Sequence, residues 1–405
     1  MFFLPLASGL FAAGGRRARR WLMTGALSVL LPSTLMASET LLTPACEVRE
    51  EYNDNILLST IDRRTDFVTT VAPSLTLADR SQRHSISLTG GLNWLTYART
   101  PGLEALDYLV RGQVGYRLSP RTDIGASGAY VIDSRPDSVN QLTGLSASAG
   151  STAQNYSFRL GHKVDERTAG SLTYGYGRER YENPALQGNT VHTAGAALTR
   201  DLDNLWKGLA SVGYSRTSYR TSRSEDYSLS LGLSWQPTES LTGSVLAGGR
   251  FTHSVFDQTG GEGSNDNWGV IGALTLAYTR EKVRSEFSFM RDFAAASGQI
   301  GATERTAFRL ALSRRFLEHL TGSATVSYTI NSSPGGRFAA QEIEDRPLRI
   351  TAGMQYEVNR YLALGATYSH YRIDYNIGNQ RAVQNMVLLQ ATWQYPLENW
   401  PVIAH

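Results

Sequence analysis

The chain has 405 residues, with 38 glycines, 20 tyrosines and a single cysteine. A hydrophobic content of 41% and a mean hydropathy of −0.27, without a run of about 18 apolar residues, exclude a helical membrane protein. The net charge of +3 comes from scattered basic residues, so we expect no nucleic-acid partner. A lone cysteine excludes a disulfide framework.

The N-terminus has the pattern of an export signal. A basic segment that contains Arg16, Arg17, Arg19 and Arg20 precedes the apolar run Trp21–Leu31, and Ala37 and Ser38 offer a small-residue cleavage point. This pattern predicts a Sec-type signal peptide over residues 1–37 with an extended basic region. The pair Arg19–Arg20 leaves a twin-arginine signal open as an alternative.

Cys46 follows the segment LLTPA, which raises a lipoprotein interpretation with Cys46 as the acylated residue. Polar residues, Glu39 among them, separate Cys46 from the apolar run of the signal. The alternative is an unpaired cysteine near the start of the folded domain.

From about residue 46 to Tyr395, apolar and polar residues alternate with the period of a β-strand. In Leu320–Ile330, one face carries Val326 and Tyr328, whereas Thr325 and Ser327 lie on the other. Repetition of this pattern without a helical period predicts an all-β protein, a transmembrane antiparallel up-and-down β-barrel over residues 38–395, in the Gram-negative outer membrane. Its apolar face would contact outer-membrane lipid and lipopolysaccharide.

Short and long connections alternate along the chain, as expected for periplasmic turns and external loops. Long linkers are predicted at 136–154, 182–189, 222–226, 258–267, 297–304, 333–345 and 377–382. The strands between the connections number about 18, within a range of 16 to 18. This is wide enough for an aqueous lumen.

Aromatic residues cluster near strand ends and predict an interfacial girdle. They are Trp94, Tyr97, Trp235, Tyr356, Tyr361, Trp393 and Tyr395. The last strand, Val387–Tyr395, puts Leu389, Trp393 and Tyr395 on one face and resembles the C-terminal signal read by the barrel-assembly machinery. Residues 396–405 then form a short periplasmic extension beyond the usual end of such proteins.

Two segments near the start carry a family resemblance. The motif Tyr52, Asn53, Asp54 and Asn55, followed by Ile56, precedes a strand with a Pro-x-Leu step at Pro73. This opening resembles that of the putative β-barrel porin type 2 family. The resemblance implies an outer-membrane conduit for exopolysaccharide secretion, fed from below and docked on a periplasmic polysaccharide-export protein. The alternative function is a general or solute-specific diffusion porin.

If the apolar face contacts lipid, the opposite face lines the lumen with charged residues. The candidate lumen residues are Arg111, Arg117, Arg159, Arg284, Arg309, Arg349, Glu286 and Glu357. A basic excess would favour anionic solutes, including anionic polysaccharides. The alternative is that these charges form ion pairs along the wall and only stabilise the barrel.

We find no residue pattern of an enzyme, and we expect no catalytic residue, metal or cofactor. The histidines show no partner spacing for a nucleophile system of a lipid-modifying enzyme. Asp133 with Asp137, or His370 with Asp374, would be the pairs to consider for a protease. The segment Gly260–Asn267 is acidic and glycine-rich but lacks calcium-ligand spacing, so we predict an external loop there.

Overall fold

The chain folds into a closed antiparallel barrel. The computed structural model describes residues 39–138, 149–184, 186–258, 261–295, 302–333, 342–375 and 379–398. Strands β1 to β18 pair with their neighbours in chain order, and β18 pairs with β1 over Ala45–Asn53 and Met386–Gln394. This confirms the predicted up-and-down barrel of 18 strands.

The first nine strands are β1 (Glu39–Asn53), β2 (Asp66–Arg80), β3 (His84–Tyr97), β4 (Ala105–Ser119), β5 (Thr122–Asp133), β6 (Ser151–Lys163), β7 (Thr168–Tyr181), β8 (Asn189–Asp201) and β9 (Trp206–Ser218). The next nine are β10 (Ser222–Thr238), β11 (Leu241–Gln258), β12 (Gly261–Arg280), β13 (Val283–Ala295), β14 (Ala302–Leu317), β15 (Leu320–Ser333), β16 (Ile343–Glu357), β17 (Leu362–Tyr375) and β18 (Gln380–Gln394). A two-residue strand, β19 (Leu397–Glu398), pairs with Leu41–Leu42 of β1. Among the described residues, no helix is long and apolar enough to cross a membrane.

The two faces of the wall differ as the alternating sequence requires. Val326 is 40% exposed on the outer face, and its neighbours across the ladder, Leu310 and Ile350, are also exposed. Thr325 and Ser327 take the opposite face, which is the inner one, since a strand directs successive side chains to opposite sides. Large exposed hydrophobic side chains therefore form an outer apolar belt, as a lipid-facing surface needs.

Short and long connections alternate largely as predicted, but two predicted loops are wrong. Ser222–Asp226 is the start of β10, and only Tyr219–Thr221 connect it to β9. Most of the predicted loop 258–267 belongs to the β11–β12 hairpin, in which Gln258 pairs with Gly261. Strands that continue beyond the apolar belt are solvated on both faces, so their polar, glycine-rich sequence resembles that of a loop.

On the side of the longer connections, β13 separates from β12, and the paired ends of β13 and β14 pack against the inner face of β11. β12 pairs with β13 over Gly272–Arg280 only, although β12 begins eleven residues earlier, at Gly261. Beyond that point, Arg250 on the inner face of β11 lies over the ring of Phe293 of β13, 4.4 Å from its centroid, and donates to Glu304 of β14 at 3.0 Å. The wall is therefore two layers thick at this place.

The predicted signal peptide lies outside the described residues, which begin at Glu39. Cys46 lies within β1, opposite Pro73 of β2 and Trp393 of β18, with strand residues on both sides. The closing strand places Leu389 and Trp393 on the outer face, where they are 57% and 44% exposed. Of the predicted extension, Leu397 and Glu398 add to the sheet through β19.

Candidate functional site

The inner face of the barrel is identified by contacts that cross its interior. Arg135 and Asp137 follow β5, yet they contact Glu51 and Asn53 of β1, which lies four strands away along the wall. Gln384 of β18 reaches the same place and donates to Asp137 at 2.9 Å. Side chains that meet in this way point into the barrel, and strand register extends the inner face from β1 and β18 around the whole wall.

All the candidate lumen residues have inner-face positions. Arg111 pairs with Ala129, and Arg159 with Gly125, next to Ser127 on the same inner face of β5. Arg309 is opposite Ser327, which is opposite Arg349. The register places the remaining candidates on the same face: Arg117, Arg284, Glu286 and Glu357.

Four of these arginines lie near the middle of their strands and form a group that we call the arginine belt. They are Arg111, Arg159, Arg309 and Arg349. Arg111, Arg159 and Arg309 are exposed although they point inward, so solvent fills the barrel at this level. Within the described part of the chain, none of the four forms an ion pair with a carboxylate within 4.0 Å. The wall ion pairs of the alternative interpretation are therefore not observed for these four arginines in the described residues.

An internal cavity of about 950 Å³ lies beside the belt, along β3 to β8. Its lining is mostly small or polar: Arg111 together with Gln113, Ser127, Asn155, Ser157 and Thr193. A polar, open interior is typical of an aqueous channel and not of a packed core.

Carboxylates occupy the inner face at the end of the barrel near the long connections. We call this end the mouth. The carboxylates include Glu51, Asp66, Asp107, Asp133, Asp226 and Asp345 at strand ends. Unlike the belt arginines, two of these carboxylates, Asp66 and Asp107, have hydrogen-bond partners. Asp66 accepts from the backbone N–H of Arg99 at 2.8 Å, and Asp107 accepts from that of Ser134 at 3.1 Å. These carboxylates fix the connections in place, a role that single-sequence patterns do not reveal.

The β5–β6 connection is held at the mouth by the group Arg135, Asp137, Glu51, Asn53 and Gln384, which we call the mouth network. Arg135 binds both oxygens of Glu51, at 2.6 and 3.0 Å, and both oxygens of Asp137, at 3.0 and 3.1 Å. Burial lowers the pKa of Arg135, but Asp137 and Glu51 more than offset it and raise this pKa well above its ordinary value. Arg135 therefore stays charged, and residues 135–137 project into the lumen.

The β1–β2 connection, residues 54–65, also folds inward. Ile56 packs against Val68, Leu95 and Tyr97 on the inner face of β2 and β3. Leu58 packs on the other side, against Tyr371 and Ile373 of β17. The two contacts hold this connection against the inner face of the wall between β17 and β3.

These contacts give the opening motif a physical role. Asn53 joins the mouth network, and Asn55 closes the connection by bonding Ser59 and the carbonyl of Val383 at 2.9 Å. Asp54 points outward and accepts two hydrogen bonds from Asn385 of β18, at 2.6 and 2.7 Å. Pro73 lies where the pairing of β2 with β3 skips from Val71 to Ser74.

The structure gives Tyr97 and the candidate protease residues definite neighbours. Tyr97 does not belong to the girdle, because it is inward and only 8% exposed. Asp137 lies in the mouth network, and Asp133 accepts from Ser138 at 2.6 Å. His370 bonds Asn385 and Asp374 bonds Arg372, both on the outer face. Among the described residues, no group of three or more metal-binding side chains could hold a metal ion.

Family comparison decides the class of the protein. A family model described as "Putative beta-barrel porin 2" matches residues 39–143 and 286–395, more than half of the chain. The chain belongs to this porin family. It is an outer-membrane β-barrel porin, and in such barrels the short turns face the periplasm and the mouth faces outward.

Similar solved structures include proteins of Pseudomonas aeruginosa and Acinetobacter baumannii. OccK5 (OpdH) of Pseudomonas aeruginosa has 14% identity and a TM-score of 0.45, with 90% of this chain and 98% of that chain covered. OccAB4 of Acinetobacter baumannii has 10% identity and a TM-score of 0.45, with 89% and 99% covered. The outer membrane protein OpdK of P. aeruginosa has 10% identity and a TM-score of 0.46, with 88% and 99% covered. A comparison with curated proteins gave no match.

Proposed function

We propose that this porin is a diffusion pore for small anionic solutes. The arginine belt carries the proposal, because its guanidinium groups face an open lumen and have no carboxylate partner among the described residues. Unpaired cations on a pore wall attract anions and repel cations. Paired charges, such as Arg250 with Asp226 at 3.5 Å, contribute far less to the field that a solute experiences.

The structure of the mouth favours passage of a small solute over passage of a polymer. Two connections, residues 54–65 and the segment with Arg135 and Asp137, bond or pack against the inner wall and narrow the entrance. A polymer has less room to pass where these connections occupy the mouth. Exopolysaccharide secretion and docking on a periplasmic polysaccharide-export protein therefore remain predictions from the family resemblance.

Ion selectivity of the purified porin in a planar bilayer tests the proposal. In a chloride salt gradient near 0.1 M, where charges are screened over about 10 Å, we expect the wild type to prefer the anion. The double variant Arg111→Ala and Arg309→Ala should lose much of this preference. The matched control is Arg280→Ala with Arg314→Ala, which removes two arginines from the outer face of β12 and β14. Unchanged anion preference in the belt variant would exclude the proposed role of the belt.

A deletion strain separates diffusion from export. For a diffusion porin, we expect normal secreted polysaccharide and slower uptake of small anions such as simple carboxylates. Loss of secreted polymer with normal uptake would instead favour export.

A further inference from the structure

The outer face of the barrel carries an unusual basic cluster at the mouth end of β16, β17 and β18. Strand register places Arg346 opposite Asp374, and Asp374 opposite Arg381, so the three form one row across the strands. Arg372 lies on the same face one step nearer the membrane centre, opposite Leu348. We call Arg346, Arg372 and Arg381 the outer-rim arginines.

The acidic residues beside this cluster do not neutralise it. Asp374 is shared, since Arg372 bonds one oxygen at 2.6 Å and Arg381 bonds the other at 2.5 Å. Arg346 pairs with Glu344 at 2.6 Å. Among the described residues of the cluster, three guanidinium groups thus face two carboxylates, an excess of one positive charge.

Some of the donors in the cluster have no acceptor. The Nε atoms of Arg346 and Arg372 are buried and have no hydrogen-bond partner among the described residues. A buried N–H without an acceptor is costly. The side chains of Arg346, Arg372 and Arg381 are otherwise 42%, 37% and 57% exposed, so a ligand from outside the chain can reach them. A surface recess of about 670 Å³ leads to this point, and its lining includes all the outer-rim arginines, Tyr328 and Leu348.

The same recess borders the apolar belt. Leu348 is opposite Tyr328, and Ile350 follows on the outer face with 38% exposure. Val387 and Leu389 continue the apolar surface on β18, at 44% and 57% exposure. The acyl chains of a ligand bound by the arginines can therefore contact the apolar wall next to them.

We propose that the outer-rim arginines bind a phosphate group on a glycolipid of the outer leaflet. Guanidinium groups bind phosphate through paired N–H donors, and the exposed parts of the three arginine side chains can share the several acceptor oxygens of one phosphate. The position at the edge of the apolar belt selects an acylated ligand over a soluble one. The site lies on the outer face, away from the lumen, and is independent of the proposed permeation function.

Retention of lipopolysaccharide by the detergent-purified porin tests this inference. The triple variant Arg346→Gln, Arg372→Gln and Arg381→Gln should retain at least about tenfold less phosphorylated lipopolysaccharide than the wild type. The matched control carries Arg200→Gln, Arg280→Gln and Arg314→Gln, which remove three outer-face arginines at the periplasmic end. Anion selectivity in the bilayer should be the same in wild type and both variants, which also establishes that each barrel is folded.

Three outcomes would overturn the proposal. Equal retention by the two triple variants would show that the outer-rim arginines are not the site. Equal binding of enzymatically dephosphorylated lipopolysaccharide would exclude phosphate as the recognised group. Displacement of the glycolipid by inorganic phosphate at similar concentration would reduce the cluster to a simple anion site.

Discussion

Asn53 of β1 donates a hydrogen bond of 2.8 Å to Asp137, which lies 84 residues later and beyond the end of β5. The same carboxylate oxygen accepts from Gln384 at 2.9 Å and from Arg135 at 3.0 Å. One buried oxygen therefore ties the β5–β6 connection to both strands that close the barrel. These three hydrogen bonds fix the position of Asp137 in the folded protein.

Removal of Asp137 should widen the mouth. Asp137→Ala leaves Arg135 with one carboxylate instead of two, and loss of one partner from a buried charge pair costs about 3–5 kcal/mol. We expect a larger and noisier single-channel conductance. Asp62→Ala is the control, because its ion pair with Arg64 at 3.2 Å is exposed. Identical conductance in wild type and Asp137→Ala would mean that the network does not restrict the pore.

The β1–β2 connection should loosen when its apolar anchor is shortened. Ile56 is 1% exposed, whereas Ile61, five residues later in the same connection, is 88% exposed. Ile56→Ala should cost about 2–5 kcal/mol of local packing, and trypsin should then cleave faster after Arg63 or Arg64. Ile61→Ala should leave the cleavage rate as in the wild type. Equal cleavage of both variants would contradict the anchoring role of Ile56.

The strand pattern alone predicts the barrel, because lipid imposes the same alternation on every strand. Val326 and Leu389 could be assigned to the outer face in this way, and the inner-face arginines followed from the opposite phase. The mouth could not be predicted. It depends on pairs such as Glu51 with Arg135, whose separation in sequence carries no local signal.

Tyr97 shows why the aromatic pattern misleads at strand ends. An aromatic residue at the end of a strand suits either the lipid interface or an inward-folded connection, and only the packing against Ile56 decides. The β11–β12 hairpin shows the same limit for polar segments. Asp266 pairs with His253 at 2.6 Å on a strand that the glycine-rich sequence conceals.

The two faces of β15 should respond oppositely to a charge. Val326→Arg would expose a charge to lipid and should destabilise the barrel by about 2–4 kcal/mol near the midplane. Thr325→Arg places the same charge in the lumen and should be tolerated. Urea unfolding in lipid vesicles, followed by tryptophan fluorescence, measures both. If the two substitutions were equally harmless, the assignment of the faces would be wrong.

Arg250 should stabilise the barrel without contributing to selectivity, although it also has an inner-face position. It is 3% exposed and lies between β11 and the inward ends of β13 and β14, where it meets Asp226, Glu304 and the ring of Phe293. Arg250→Met leaves Asp226 buried without this cation and should cost about 3–5 kcal/mol in urea unfolding, with ion selectivity unchanged. The exposed partner of Glu304, Arg291, is the control, and Arg291→Met should cost at most about 1 kcal/mol.

A double-mutant cycle separates the ion pair from simple packing. If burial of an unpaired carboxylate causes the loss, adding Asp226→Asn to Arg250→Met should recover more than about 1 kcal/mol relative to the sum of the single variants. Independent sites add within about 0.5 kcal/mol, so additivity at that level would assign the effect of Arg250 to its contacts with Phe293 and Glu304 instead.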